Sequence, residues 1–75
     1  MNVQMHSVGS SNIKALGWFD HALYIDFLSG RSYKYPGVPQ EVFEDMLASD
    51  SVGKFFHNRI RPHYDAEEVS QAPTA

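Results

Sequence analysis

The hydrophobic pattern changes its period once, at "YPGVPQ" (35–40), and that change sets the order of elements along the chain. Before it, apolar residues alternate as they do on a half-buried strand; after it, they recur at three and four as on one face of a helix. "LYIDF" (23–27) puts Leu23, Ile25 and Phe27 on one face and Tyr24 and Asp26 on the other. "RSYKY" (31–35) puts Tyr33 and Tyr35 together. The connection decides whether these faces agree. A two-residue Ser29-Gly30 turn sets Tyr33 opposite Asp26, whereas a three-residue Leu28-Ser29-Gly30 loop sets Tyr33 opposite Ile25 and Tyr35 opposite Leu23. A one-residue slip reverses every side chain, so the longer loop is expected, with Gly30 in the left-handed position of a type I turn plus bulge. "SSNIKALGWF" (10–19) reads as an earlier strand from about Asn12 to Phe19 with a bulge near Gly17, and "FDHA" (19–22) as a turn.

Beyond Gly37, Pro39 suits the first turn of a helix. Val42, Phe43, Met46 and Leu47 form its apolar stripe, and it ends near Ala48–Ser49. Asp50 or Ser51 caps a second helix with the stripe Val52, Phe55, Phe56 and Ile60, and Pro62 stops it near Arg61. The expected fold class is α+β: a three-stranded antiparallel sheet followed by two helices packed on one face, in the order β-β-β-α-α. Residues 1–8 lack a clear period and are expected to fray, and "DAEEVSQAPTA" (65–75) reads as a disordered acidic and polar tail.

Length and charge narrow the function. The chain has 75 residues, enough for one domain with a thin stability margin. It has no cysteine, so neither a disulfide nor a thiolate metal site is available. No signal-peptide h-region and no span of about 20 apolar residues is visible, so a cytoplasmic protein without a membrane partner is expected. Six Lys and Arg against nine Asp and Glu give a net charge of -3, which argues against broad DNA binding. The charges are nonetheless segregated: Glu41, Glu44 and Asp45 lie on one helix, and Lys54, Arg59 and Arg61 on the next.

Candidate site residues follow from that second helix. Ser51, Gly53 and Lys54 stand at its start, where unpaired amides and a lysine suit a phosphate; equally, Ser51 caps, Gly53 allows close packing and Lys54 is solvated. Lys54, His57 and Arg61 recur at three and four, so they share one face and are placed to converge on an anion. Arg59 lies nearer Val52 and Phe55 and reads as structural. Ser11 and Asn12 either close the sheet edge by local hydrogen bonds or bind a base or sugar. Of the aromatics, Trp18 and Tyr24 are the ones free to stack on a base. His6, His21, His57 and His63 show no metal-ligand spacing, no cofactor motif is present, and no catalytic triad order stands out, so the expectation is a non-enzyme.

Taken in order, "SSNI" (10–13), "LGW" (16–18), "LYIDF" (23–27), "GRSYKY" (30–35), "VP" (38–39) and "ASDSVGKFFHNRIR" (48–61) with Tyr64 resemble the KTSC domain. That family is named for its occurrence at the C-terminus of some lysyl-tRNA synthetases, and it also occurs as short stand-alone bacterial and phage proteins. The resemblance makes residues 9–64 the domain. It differs at His57, where the family usually carries Asn, and at Trp18, where Tyr is common. The synthetase association implies RNA or nucleotide contact.

Two function classes result. In the first, a non-catalytic, self-associating module binds a phosphate-bearing ligand: a single-stranded RNA, or a small nucleotide sequestered between protomers. In the second, it is a protein-interaction adaptor that uses an open sheet edge and the acidic helix around Glu41–Asp45.

Overall fold

The computed structural model describes residues 3–69. Its sheet is an antiparallel meander, β1 (His6–Ser7), β2 (Ile13–Phe19), β3 (Ala22–Phe27), β4 (Ser32–Pro36) and β5 (Glu67–Val69), paired in chain order. Helix α1 (Gln40–Ala48) and helix α2 (Val52–Phe55) lie between β4 and β5, and α2 continues into a π-helical turn, Phe56–Ile60. The α+β class, the antiparallel sheet and the two helices on one face agree with the sequence reading. The strand number does not: the sheet has five strands where three are expected.

The central hairpin forms as its alternation dictates. Tyr33 pairs with Ile25 and Tyr35 with Leu23, the register of the three-residue loop. The Gly30 amide donates to the Phe27 carbonyl at 3.0 Å, and Gly30 sits at φ +95°. Asp20 and His21 turn the β2–β3 hairpin with φ of 52° and 58°, a two-residue turn whose left-handed pair matches the twist of the strands. The bulge in β2 is not at Gly17; pairing shifts between Ile13 and Ala15.

Two apolar layers result. Leu16, Leu23, Ile25 and Tyr35 from the sheet meet Phe43 and Met46 of α1, Val52 of α2 and Ile60 in the main core. On the other face, Val3 packs on Ala22 and Tyr24, with Met5 and Phe19 at the margin. Residues 3–8, where fraying is expected, are therefore packed against the sheet. His6 pairs with Leu16, and the segment passes so close to Gly17 that a β-carbon there would lie 2.5 Å from Met5 Sδ, 2.7 Å from Val3 Cγ1 and 2.9 Å from the Gln4 carbonyl. Gly17 is thus a close-approach residue. The expected flexible stretch 1–8 keeps only residues 1 and 2 outside the described residues, and of the expected disordered tail, residues 70–75 lie outside them. Within that tail Glu67 pairs with Lys34 and Glu68 with Tyr33, and Arg31 reaches Glu68 at 3.3 Å across an exposed surface. The edges of the central three strands, which the adaptor reading treats as open, are flanked by β1 and β5.

Candidate functional site

The head of β2, the β3–β4 loop and α2 meet at one end of the sheet. Local hydrogen bonding brings them there. Ser10 Oγ accepts from the amides of Asn12 (3.2 Å) and Ile13 (3.3 Å), which turns the chain into β2. The Leu28 amide then donates to the Asn12 carbonyl at 2.9 Å, tying the loop to the strand head. Ser51 is extended and its hydroxyl accepts from the Lys54 amide at 3.4 Å, so it is the N-cap of α2. Gly53 faces Ser10: a β-carbon there would lie 3.7 Å from Ser10 Oγ, an ordinary contact. Close packing therefore does not require a glycine at position 53.

Two adjoining surface grooves open at this junction. One, of about 550 Å³, runs beside Phe27, Leu28, Phe56 and Arg61. The other, of about 610 Å³, runs beside Ser51, Lys54 and Asn58. Ser11, Asn12, Gly53 and His57 are walls of both. Seven of the residues expected to bind ligand are thus gathered in one place. His57 lies in the middle, with Lys54 on one groove and Arg61 on the other, so Lys54 and Arg61 flank His57 across two adjoining grooves and share neither. Among the described residues no Asp or Glu lines either groove, although the chain is net acidic.

The helix itself departs from regular geometry at this site. The Arg61 amide donates to the Phe56 carbonyl at 2.9 Å, five residues back, which widens the turn. Pro62 gives a physical reason. It has no amide to donate, and in a continuing α-helix its ring would clash with the Asn58 carbonyl. Such π-turns are rare and occur often at functional sites. Beneath it, Phe56 meets Phe27 and Tyr35 edge-on at 5.6 and 5.8 Å. The Tyr35 phenol is held above its ordinary value, chiefly by burial; Tyr33 adds to the shift and the Arg61 charge opposes it.

Two expected site residues are elsewhere. Tyr24 is buried in the second apolar layer under Val3, not free to stack. The Trp18 indole donates to the Val38 carbonyl at 2.7 Å and packs on the main core, which makes it structural. The sequence reading gives both to ligand on the premise of an uncovered sheet surface, and the covering segment removes that premise for Tyr24. Arg59 lies 5.1 Å from the centre of the Phe55 ring, the structural position its spacing implies. The sequence reading passes over Phe27, Leu28, Ser29 and Asn58, which also line the grooves. Leu28 carries the available signal: an apolar residue inside a turn, 56% exposed. Among the described residues no group of three or more His, Asp or Glu side chains is arranged to hold a metal, and no helix is long and apolar enough to cross a membrane.

The KTSC domain family model matches residues 9–64, which hold the three central strands, both helices and every groove residue named above. A protein from Tsukamurella paurometabola is 39% identical over 64 residues, 83% of this chain and 96% of its own length. One from Stutzerimonas stutzeri is 38% identical over 58 residues, 73% of this chain and 82% of that one. The crystal structure of a KTSC domain protein from Yersinia pestis superposes with a TM-score of 0.82 at 28% identity, covering 89% of this chain and 97% of that one. The family match, spanning most of the chain, and these relatives lead to one conclusion: the chain belongs to the KTSC domain family.

Proposed function

We propose that this protein is a small, non-catalytic binding module for a phosphate-bearing ligand. The observation that carries the reading is the pair of grooves sharing Ser11, Asn12, Gly53 and His57, flanked by Lys54 and Arg61 and, among the described residues, free of carboxylates. A lysine supplies a point charge and an arginine a planar fork for phosphate oxygens. Among the described residues neither Lys54 nor Arg61 forms an ion pair, so both charges are available. The non-catalytic reading is supported by the same walls. They offer one imidazole and no carboxylate, and the Ser51 hydroxyl is engaged in capping. General acid–base chemistry draws on His, Asp, Glu, Lys, Tyr or Cys held within reach of the proton, and among the described residues these walls carry no carboxylate, phenol or thiol.

Both grooves are open to solvent, and a domain of 75 residues has little chain with which to close them. The module therefore acts as a homo-oligomer in which a second copy covers the ligand. Sedimentation with and without inorganic pyrophosphate checks this: association strengthened by the anion is the expected outcome, and a monomer at about 100 µM in both conditions contradicts it.

Thermal melting tests binding itself. At constant ionic strength, replacing chloride with pyrophosphate is expected to raise the wild-type midpoint, because an anion bound only by the folded state stabilises it. The Lys54→Ala/Arg61→Ala variant is expected to lose most of that rise while melting normally in chloride, since exposed charges contribute little to stability. An equal rise in both proteins would place the anion elsewhere.

A further inference from the structure

The two grooves differ in chemistry, and the difference points to a ligand with two unlike ends. One groove has Phe27, Leu28 and Phe56 on its wall with Arg61; the other has Lys54, Ser51 and Asn58. Leu28 is a large apolar side chain, 56% exposed, on the loop that the Asn12 carbonyl holds against the head of β2. A single exposed leucine is unremarkable on a protein surface. Here it lies beside two half-buried phenylalanines whose rings meet at 5.6 Å, so the apolar wall is continuous and braced from below. The polar residues between the two ends are Ser11, Asn12 and His57.

Building on the phosphate-binding reading, we infer that the occupant is a free nucleoside phosphate. Its base lies against Leu28, Phe27 and Phe56, and its phosphate lies at the Lys54 end. Asn12 offers an amide, donor and acceptor together, midway between them. An apolar wall of a leucine and two half-buried rings suits a base, which has an apolar π-face whatever its identity. Each groove carries one cation, Arg61 beside the apolar wall and Lys54 beside polar residues; the phosphate is placed with Lys54 because that groove has no large apolar side chain to hold a base.

A polynucleotide fits less well. Proteins that hold single strands present a basic track with successive exposed aromatic rings. Here Tyr24 is buried, Trp18 is tied to the Val38 carbonyl, and Tyr35 is in the main core. The apolar wall is confined to one groove, and the whole chain carries a net charge of -3.

Calorimetric titration of the intact protein tests this. The probes are the four ribonucleoside 5′-monophosphates, each alone, ribose 5-phosphate, the matching free nucleosides, and hexaribonucleotides of each base without a terminal phosphate. At least one monophosphate is expected to bind about tenfold more tightly than ribose 5-phosphate, the scale of one base contact. Leu28→Ser, at an exposed position, is expected to weaken that nucleotide about fivefold and leave ribose 5-phosphate unchanged. Lys54→Ala is expected to weaken both phosphates and leave the nucleoside unchanged. Equal affinity for nucleotide and ribose 5-phosphate, or no effect of Leu28→Ser, overturns the base assignment while leaving the phosphate reading in place. Preference for a hexaribonucleotide over every monophosphate overturns the free-nucleotide assignment in favour of RNA. If no phosphate-bearing probe binds the wild type, the phosphate reading fails and takes this inference with it.

Discussion

Gly17 and Gly53 both face another part of the chain, yet a β-carbon meets different things at the two positions. At Gly17 it would collide with the backbone of Gln4 as well as with Val3 and Met5, so the covering segment must move. Gly17→Ala is expected to destabilise by about 1–3 kcal/mol, the usual cost of overpacking. The loss should shrink without vanishing when Val3 and Met5 are both replaced by alanine, because the Gln4 carbonyl still stands 2.9 Å from the added carbon; chemical denaturation of the cycle measures that coupling. At Gly53 the added methyl meets only ordinary contact with Ser10 Oγ. Gly53→Ala is expected to keep or raise stability, since alanine is favoured by about 1 kcal/mol in a helix, while weakening any ligand that rests on that wall. Titration matters at Tyr35. Burial holds its phenol above the ordinary value, so the folded chain keeps this proton to higher pH than the unfolded chain. Its contribution is complete below about pH 10, the unfolded value, and is lost as pH rises through the folded one. Melting curves from about pH 8 to about pH 11 should decline less steeply in Tyr35→Phe than in the wild type.

The central hairpin was legible because period-two alternation and a glycine in the loop constrain each other: only one register keeps Leu23, Ile25, Tyr33 and Tyr35 on a common face. The added edge strands were not, for a different reason in each case. In "MNVQMH", Met1, Val3 and Met5 do alternate with Asn2, Gln4 and His6, but six residues before a polar run are a weak signal. In β5 the two glutamates read as solvated tail; what holds them is cross-strand pairing with Lys34 and Tyr33, a non-local contact. Helix α2 was legible up to its widened turn. The stripe Val52, Phe55, Phe56 and Ile60 packs on the main core, but where one buried stripe is expected only Val52 and Ile60 are buried and the two phenylalanines are half-buried. Phe56→Ala is therefore expected to cost about 3 kcal/mol, the low end for a phenylalanine, read from chemical denaturation. Pro62→Ala removes the cause assigned to the π-turn. It should extend regular hydrogen bonding, detectable as slower amide exchange at residues 58–62.

At the scale of the whole molecule, the site is where three separate elements end together. Their residues were nominated from local chemistry alone: short polar side chains at 11 and 12, and a basic helix face. Their convergence depends on the hydrogen bond between Leu28 and Asn12, which no local pattern encodes. The same limit explains Tyr24. Its strand face was read correctly, but whether that face is covered depends on a segment about twenty residues earlier. On the function proposed above, this junction holds a phosphate. A residue-resolved NMR titration of the intact protein with inorganic pyrophosphate at constant ionic strength tests it most directly. Saturable amide shifts grouped at Ser11, Asn12, Gly53, Lys54 and His57, greatly reduced in the Lys54→Ala/Arg61→Ala variant, are predicted. Saturable shifts grouped on the opposite sheet face, or shifts at the junction that the double variant leaves intact, would contradict it.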